Sequence, residues 1–162
     1  MTSLQSLVNL ASSGGTITLS PEELYVDSQT VVIDKPLTII GRSSPSVGDR
    51  PVIGITVPYG EPAITINASD VTLKGISVTG GSRCIYVAPG GTPVLPNAGL
   101  MENDRIVIDD CFIGYDEIGV ASKAKGFRVS NCLFHTTTNS QTLKGIVVYK
   151  SDGVQDELEN TY

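Results

Sequence analysis

Histidine is almost missing from this chain of 162 residues: His135 is the only one. A metal site built on two imidazoles therefore cannot form within one chain. Charge is sparse as well. Asp, Glu, Lys and Arg make up 17% of the residues, and acidic groups outnumber basic ones by 17 to 11, for a net charge of −6. A chain of that sign repels a phosphate backbone or an anionic bilayer, so neither nucleic acid nor membrane is expected as a partner. No apolar run approaches the roughly 20 residues that a membrane-spanning helix needs. The start, Met1 to Leu10, has neither a basic stretch nor a continuous apolar one, and no secretory leader is read there. The three cysteines, Cys84, Cys111 and Cys132, are an odd number without CxxC or zinc spacing. They read as reduced thiols of a protein assembled in a cytoplasm. No cofactor and no metal is expected.

What is present points to β-structure. Val, Ile and Thr are abundant, and 17 glycines and 9 prolines supply turns. The length suits one domain with a substantial core. Only the first segment reads as helix: Leu4, Leu7, Val8 and Ala11 line one face at i, i+3, i+4, i+7. Thr2 or Ser3 can cap its start and Gly14–Gly15 its end, giving about two to three turns. "TITLS" then alternates as a strand. "VVIDKPLTIIG" holds two apolar stretches, with Pro36 arguing for a bend or an edge between them.

The later strands repeat. "VTLKGISV" (71–78), "IVIDDCFI" (106–113) and "FRVSNCLF" (127–134) align residue by residue. Val71, Ile106 and Phe127 correspond, as do Leu73, Ile108 and Val129; Ile76, Cys111 and Cys132; and Val78, Ile113 and Phe134. Leu37 of "LTIIG" stands opposite Val71. A second strand precedes each unit, starting at Ile64, Ile85, Ile118 and Ile146, with spacings of 21, 33 and 28. The shortest is a coil length, and the excess falls in polar or Pro/Gly-rich insertions at 41–54, 89–104 and 135–142. Such a repeat implies an all-β fold, a parallel β-helix of four or five coils stacked about 4.8 Å apart. One coil cannot offset its own ordering entropy, so several must stack. The expected layout is a single domain over 1–154, with a capping helix in 1–14 and coils in 15–154. Residues 155–162 read as an acidic tail or an incomplete C-terminal cap.

"LVNLASSGGTITLSPEELY", "VVIDKPLTIIG" and "ITINASDVTLKGISVTGG" together resemble the N-terminal portion of right-handed parallel β-helix proteins of the pectin lyase-like superfamily, over about residues 4 to 150. In that family a capping helix leads to a strand like "TITL" and then to coils of these patterns. The resemblance implies the fold and not an activity, because the fold hosts lyases, hydrolases, phage spikes and surface proteins. The Gly-His-Gly and Arg-x-Lys of its polygalacturonase-like members have no counterpart here. Nor does the Arg-x-Pro-x-x-Arg of its pectate lyase-like members.

The candidate chemistry is therefore taken from single residues. Asp109, Asp116, Glu117 and His135 are the candidates if the chain is an enzyme. Two carboxylates roughly 5–9 Å apart could hydrolyse a glycoside. Against this, Asp109 and Asp110 are adjacent, and neighbouring strand residues face opposite ways. Asp110 aligns with Gly75 and Asn131, which suggests a corner. Lys123, Lys125 and Arg128 form a basic cluster that could bind an acidic sugar. Ile76, Cys111 and Cys132 are expected to stack as an inward ladder. Val94, Leu95, Leu100 and Met101 make loop 89–104 a candidate contact with another subunit or protein. The reading is a non-enzymatic structural or adhesion protein: a bacteriophage virion surface component, oligomeric, assembled in the host cytoplasm. The alternative is a polysaccharide lyase or glycoside hydrolase, or the front of one, secreted after removal of a signal.

Overall fold

The computed structural model describes residues 1–41, 47–88, 105–124, 126–136, 143–149 and 155–156. Among the described residues one α-helix, α1 (Leu4–Leu10), leads into sixteen strands. They are β1 (Gly15–Thr18), β2 (Leu24–Asp27), β3 (Val31–Ile33), β4 (Leu37–Ile40), β5 (Val52–Ile55), β6 (Pro62–Ile66), β7 (Val71–Lys74) and β8 (Ser77–Gly80). Then come β9 (Arg83–Val87), β10 (Ile106–Asp109), β11 (Phe112–Tyr115), β12 (Ile118–Ser122), β13 (Phe127–Ser130), β14 (Leu133–Thr136), β15 (Lys144–Tyr149) and β16 (Gln155–Asp156).

Every third strand is a neighbour. The first sheet runs β1-β4-β7-β10-β13, the second β2-β5-β8-β11-β14, and the third β3-β6-β9-β12-β15 with β16 at its edge. All these ladders are parallel except β15 with β16, which is antiparallel. The described residues form a parallel β-helix of five three-strand coils, with the right-handed sense that parallel crossovers almost always take. Its core is a set of vertical ladders. Ile17, Ile39, Leu73, Ile108 and Val129 stack in the first sheet. Tyr25, Ile53, Val78, Ile113 and Phe134 stack in the second. The register expected from the repeat holds: Val71 meets Leu37 and Ile106 meets Phe127, with Ile113 between Val78 and Phe134.

Corners are set by residues that tolerate a left-handed backbone. Gly75, Asp110 and Asn131 occupy one position in successive coils, with φ of 65°, 53° and 53°. Gly and short polar side chains enter that region at least cost, which is why the repeat reads G, D, N there. A second such column, Gly14, Asp70, Arg105 and Gly126, precedes the first-sheet strands. In the second coil that place is taken by Pro36, whose carbonyl accepts a hydrogen bond from Gly14 N at 2.7 Å.

The N-terminal end is closed by side chains and backbone together. Ser3 caps α1, and Leu4 and Val8 are buried over the first coil. Gln5 acts as a one-residue strand: its Oε1 accepts from Val32 N at 2.6 Å and its Nε2 donates to Val32 O at 3.2 Å. Thr2 does the same for β2, donating to Leu24 O and accepting from Val26 N. Edges that would otherwise template aggregation are thereby satisfied.

Four sequence expectations shift. The helix ends at Leu10, because Ala11 already turns extended, so Gly14 serves the entry to β1 and not the helix. Segment 41–54, read as a loop, runs into β5 and supplies its first three residues, Val52 to Gly54, the strand's "VIGI" being separated from β4 by an insertion that hid the repeat. In the third sheet Val120, not Ile118, stacks between Ile85 and Ile146, because Ile118 pairs with Arg83 and Lys144 two residues earlier. Strand β14 continues through Thr136, so His135 belongs to a strand and not to the loop after it.

Candidate functional site

The Asp-Asp of the fourth coil is split by the end of its strand. Asp109 is the last residue of β10 and faces outward, in register with Lys74 below and Ser130 above. Its Oδ1 accepts from Ser130 Oγ and from Asn131 Nδ2, both at 2.9 Å, and its Oδ2 meets Lys74 Nζ at 3.2 Å. These hydrogen bonds, Asn131 first, then Ser130 and Lys74, hold the Asp109 carboxyl below its usual range. It is an anion clamping three coils, poorly suited to hold a proton for general acid catalysis.

Asp110 turns the other way. Arg50, with only 9% of its side chain exposed, reaches it from the segment between β4 and β5. Arg50 Nη2 meets Asp110 Oδ1 at 2.6 Å, and Nη1 donates to the Asp110 carbonyl at 2.5 Å. A guanidinium can bind a carboxylate and a carbonyl at once because its donors are fixed in a plane.

The depressed Asp109 and Asp70 carboxyls carry a pH signature. Asp70 is lowered chiefly by its hydrogen bond from Arg105. A carboxyl whose folded pKa is depressed adds stability above its unfolded pKa, and that contribution is lost as pH falls through the folded value. The urea midpoint is therefore expected to drop on acidification through and below the ordinary carboxylate range. Asp109→Asn should show a lower midpoint at neutral pH and a smaller acid-induced drop. Equal acid-induced drops in the two proteins would remove Asp109 from the explanation.

Asp116 and Glu117 lie at the next corner, between β11 and β12. Glu117 accepts a hydrogen bond from the hydroxyl of Tyr59, an exposed side chain on the β5–β6 connection. That bond, followed by the repulsion of the Glu117 charge, raises the Tyr59 pKa. The Glu117 backbone is also held, its N donating to Ser82 O at 3.0 Å. The four residues of β11 separate this corner from Asp109 by about 13 Å of extended backbone.

His135 stands outward on the second sheet, exposed, with its ring stacked on Phe112 at 5.8 Å and 27°. The four candidate catalytic residues thus occupy three places: the first corner, the second corner and the outer face of β14, the strand at the end of the second sheet. Of the basic cluster, Lys123 lies exposed just after β12, and Arg128 lies exposed on β13 with Nε 3.3 Å from Ser130 Oγ. Lys125 lies outside the described residues, as do the insertion 89–104 with its apolar side chains and most of the acidic tail.

Ile76, Cys111 and Cys132 stand at the same step of successive coils, with Phe112 N donating to Ile76 O and Leu133 N to Cys111 O. Ile76 and Cys111 are fully buried and Cys132 is half-buried. The sulfurs repeat one another's bonds: Cys111 Sγ lies 3.2 Å from Asp109 O and 3.6 Å from Leu73 O, and Cys132 Sγ 3.2 Å from Ser130 O and 3.6 Å from Ile108 O.

The sequence reading missed Arg50, Gln5 and Asp27. Asp27 accepts from Ser3 Oγ at 2.6 Å and Leu4 N at 2.9 Å, anchoring the start of α1. It borders an open cleft of about 450 Å³ whose other walls include Ser6, Asn9 and Thr30. Most of the polar groups there already bind within the cap. No repeat carries these contacts, since each joins an end or an insertion to a coil. Among the described residues no three His, Cys, Asp or Glu side chains gather as a metal ion needs, and no helix is long and apolar enough to cross a membrane. No protein-family model, no curated protein and no solved structure matches the chain.

Proposed function

We propose that the chain is a non-enzymatic structural or adhesion module, which presents the outside of a stiff β-helix to other copies or other proteins. The outward face of the second sheet carries this reading. Leu24, Val52, Phe112 and Leu133 share one outward column, with Ser77 between Val52 and Phe112. Leu24, Val52 and Leu133 are 44%, 38% and 57% exposed. The parallel column holds Val26, Gly54, Thr79, Gly114 and His135. Neither column contains Asp, Glu, Lys or Arg. In a chain of net charge −6, an uncharged, partly apolar face is where contact costs least desolvation.

Within that reading the protein is a virion surface component, a bacteriophage capsid decoration or tail protein that forms homo-oligomers. This step rests on analogy with the use phages make of pectin lyase-like β-helices. The test has two arms. Sedimentation should give an oligomer that Leu133→Asp dissociates. Incubation with a panel of acidic polysaccharides should release neither reducing ends nor unsaturated products. Turnover that Asp109→Ala or Asp116→Ala abolishes, with circular dichroism unchanged, would overturn the reading in favour of a polysaccharide-degrading enzyme. A strict monomer would overturn the homo-oligomer.

A further inference from the structure

We infer that Cys111 and Cys132 form a dithiol site that takes a low-molecular-weight disulfide as oxidant and closes into a bond between the fourth and fifth coils. Nothing in the proposed function requires this site.

The register places the two cysteines directly opposite each other. Asp109 pairs with Ser130 just before them, and Phe112 pairs with Leu133 just after. Adjacent strands lie about 4.8 Å apart, within the Cα separation that disulfides span. Both side chains point to the same interior column, their sulfurs set at corresponding places one coil apart, each 3.2 Å and 3.6 Å from the equivalent carbonyls of its own and the preceding coil. Both are free thiols.

The two are not equivalent, and the difference sets the order of events. Cys111 is fully buried with a coil on either side, whereas Cys132 is half-buried in the last coil of the first two sheets. The Cys111 thiol beside it favours a thiolate on Cys132 and holds the Cys132 pKa below the ordinary thiol range. Cys84, which is buried and has no such donor, is pushed up by desolvation.

The Cys132 thiolate attacks one sulfur of the incoming disulfide, and its other half leaves as a thiolate that takes a proton from water. Cys111 then loses its proton to solvent and attacks the Cys132 sulfur. The second half of the oxidant leaves and is protonated in turn. Two protein thiols are oxidised by two electrons, one small disulfide is reduced to two thiols, and one protein disulfide remains. The product ties the outermost coil to the one beneath it.

The experiment uses the folded, reduced full chain and oxidised glutathione. Unfolded and quenched samples should show the free-thiol titre falling from three to one. Peptide mapping should find Cys111 joined to Cys132, with a transient glutathione adduct on Cys132 alone. Cys111→Ala should stop at that adduct, and Cys132→Ala should keep both remaining thiols. The wild-type time course decides the matter even if a variant folds poorly. Three outcomes would each overturn the assignment: first reaction at Cys84 or Cys111, a lasting adduct on Cys132 without the internal bond, or closure no faster than in the urea-unfolded chain.

Discussion

Gly80→Ala should leave little folded protein. Gly80 ends β8 at φ 121°, opposite Ile55 of β5. A Cβ built there would sit 1.8 Å from the Ile55 carbonyl oxygen and 2.9 Å from its carbon. Both are backbone atoms of a buried ladder, so no rotamer change can relieve the overlap. The strands must part, opening the second sheet between the second and third coils. Backbone strain together with a parted ladder puts the loss at about 4 kcal/mol or more, against a total stability of about 5–15 kcal/mol for an ordinary domain. Two controls separate clash from conformation. Gly60→Ala carries a positive φ of 94° but meets nothing within 4 Å, and should lose only about 1–2 kcal/mol. Gly54→Ala has neither burden and should be close to neutral. Urea denaturation followed by circular dichroism ranks the three. A Gly80→Ala midpoint equal to that of Gly54→Ala would mean that the strands do not approach this closely.

Arg50→Met should cost about 3 kcal/mol. Removing one partner of a buried pair leaves the other without its counter-charge, and such losses run to about 3–5 kcal/mol. Asp110 keeps 19% of its side chain in contact with solvent, which sets the expectation at the lower end. The Asp110 carbonyl loses a donor as well. Arg50→Lys should rescue only part of the loss, since a single ammonium cannot span carboxylate and carbonyl as the guanidinium fork does. The double variant Arg50→Met, Asp110→Asn should be less destabilised than the sum of the singles, because it removes the stranded charge. Strict additivity in urea denaturation would show that the pair does not act as a unit.

How much of this was visible in the chain depends on where a residue stands relative to the repeat. The columns Val71–Ile106–Phe127 and Ile76–Cys111–Cys132 could be read directly, because each coil demands an apolar side chain at the same step. Asp110 and Asn131 could be read as a corner, because only residues tolerant of a left-handed backbone fit opposite Gly75. The third-sheet register failed at Ile118 because "IGV" offers two apolar residues of the same parity, and only the height of the neighbouring strands selects Val120. Strand β5 was hidden because an insertion had displaced it from the pattern. The candidate site fared worse than the fold. Arg50 meets Asp110 across 60 residues, and Tyr59 meets Glu117 across 58. Such contacts follow from which corners the coiling brings together, and no local spacing announces them.

The two ends of the molecule differ in a way that bears on how it comes apart. At the first coil Gln5 and Thr2 satisfy strand edges, and Leu4 and Val8 are sealed beneath the helix. At the fifth, Phe127, Val129, Cys132 and Phe134 are only half-buried, although the same columns are fully covered below. In a structure where each layer leans mainly on its neighbours, local stability follows such a gradient. The β-helix therefore has a direction in time as well as in space. Among the described residues, the ladders of the fifth coil are expected to open before those of the first, which the helix seals.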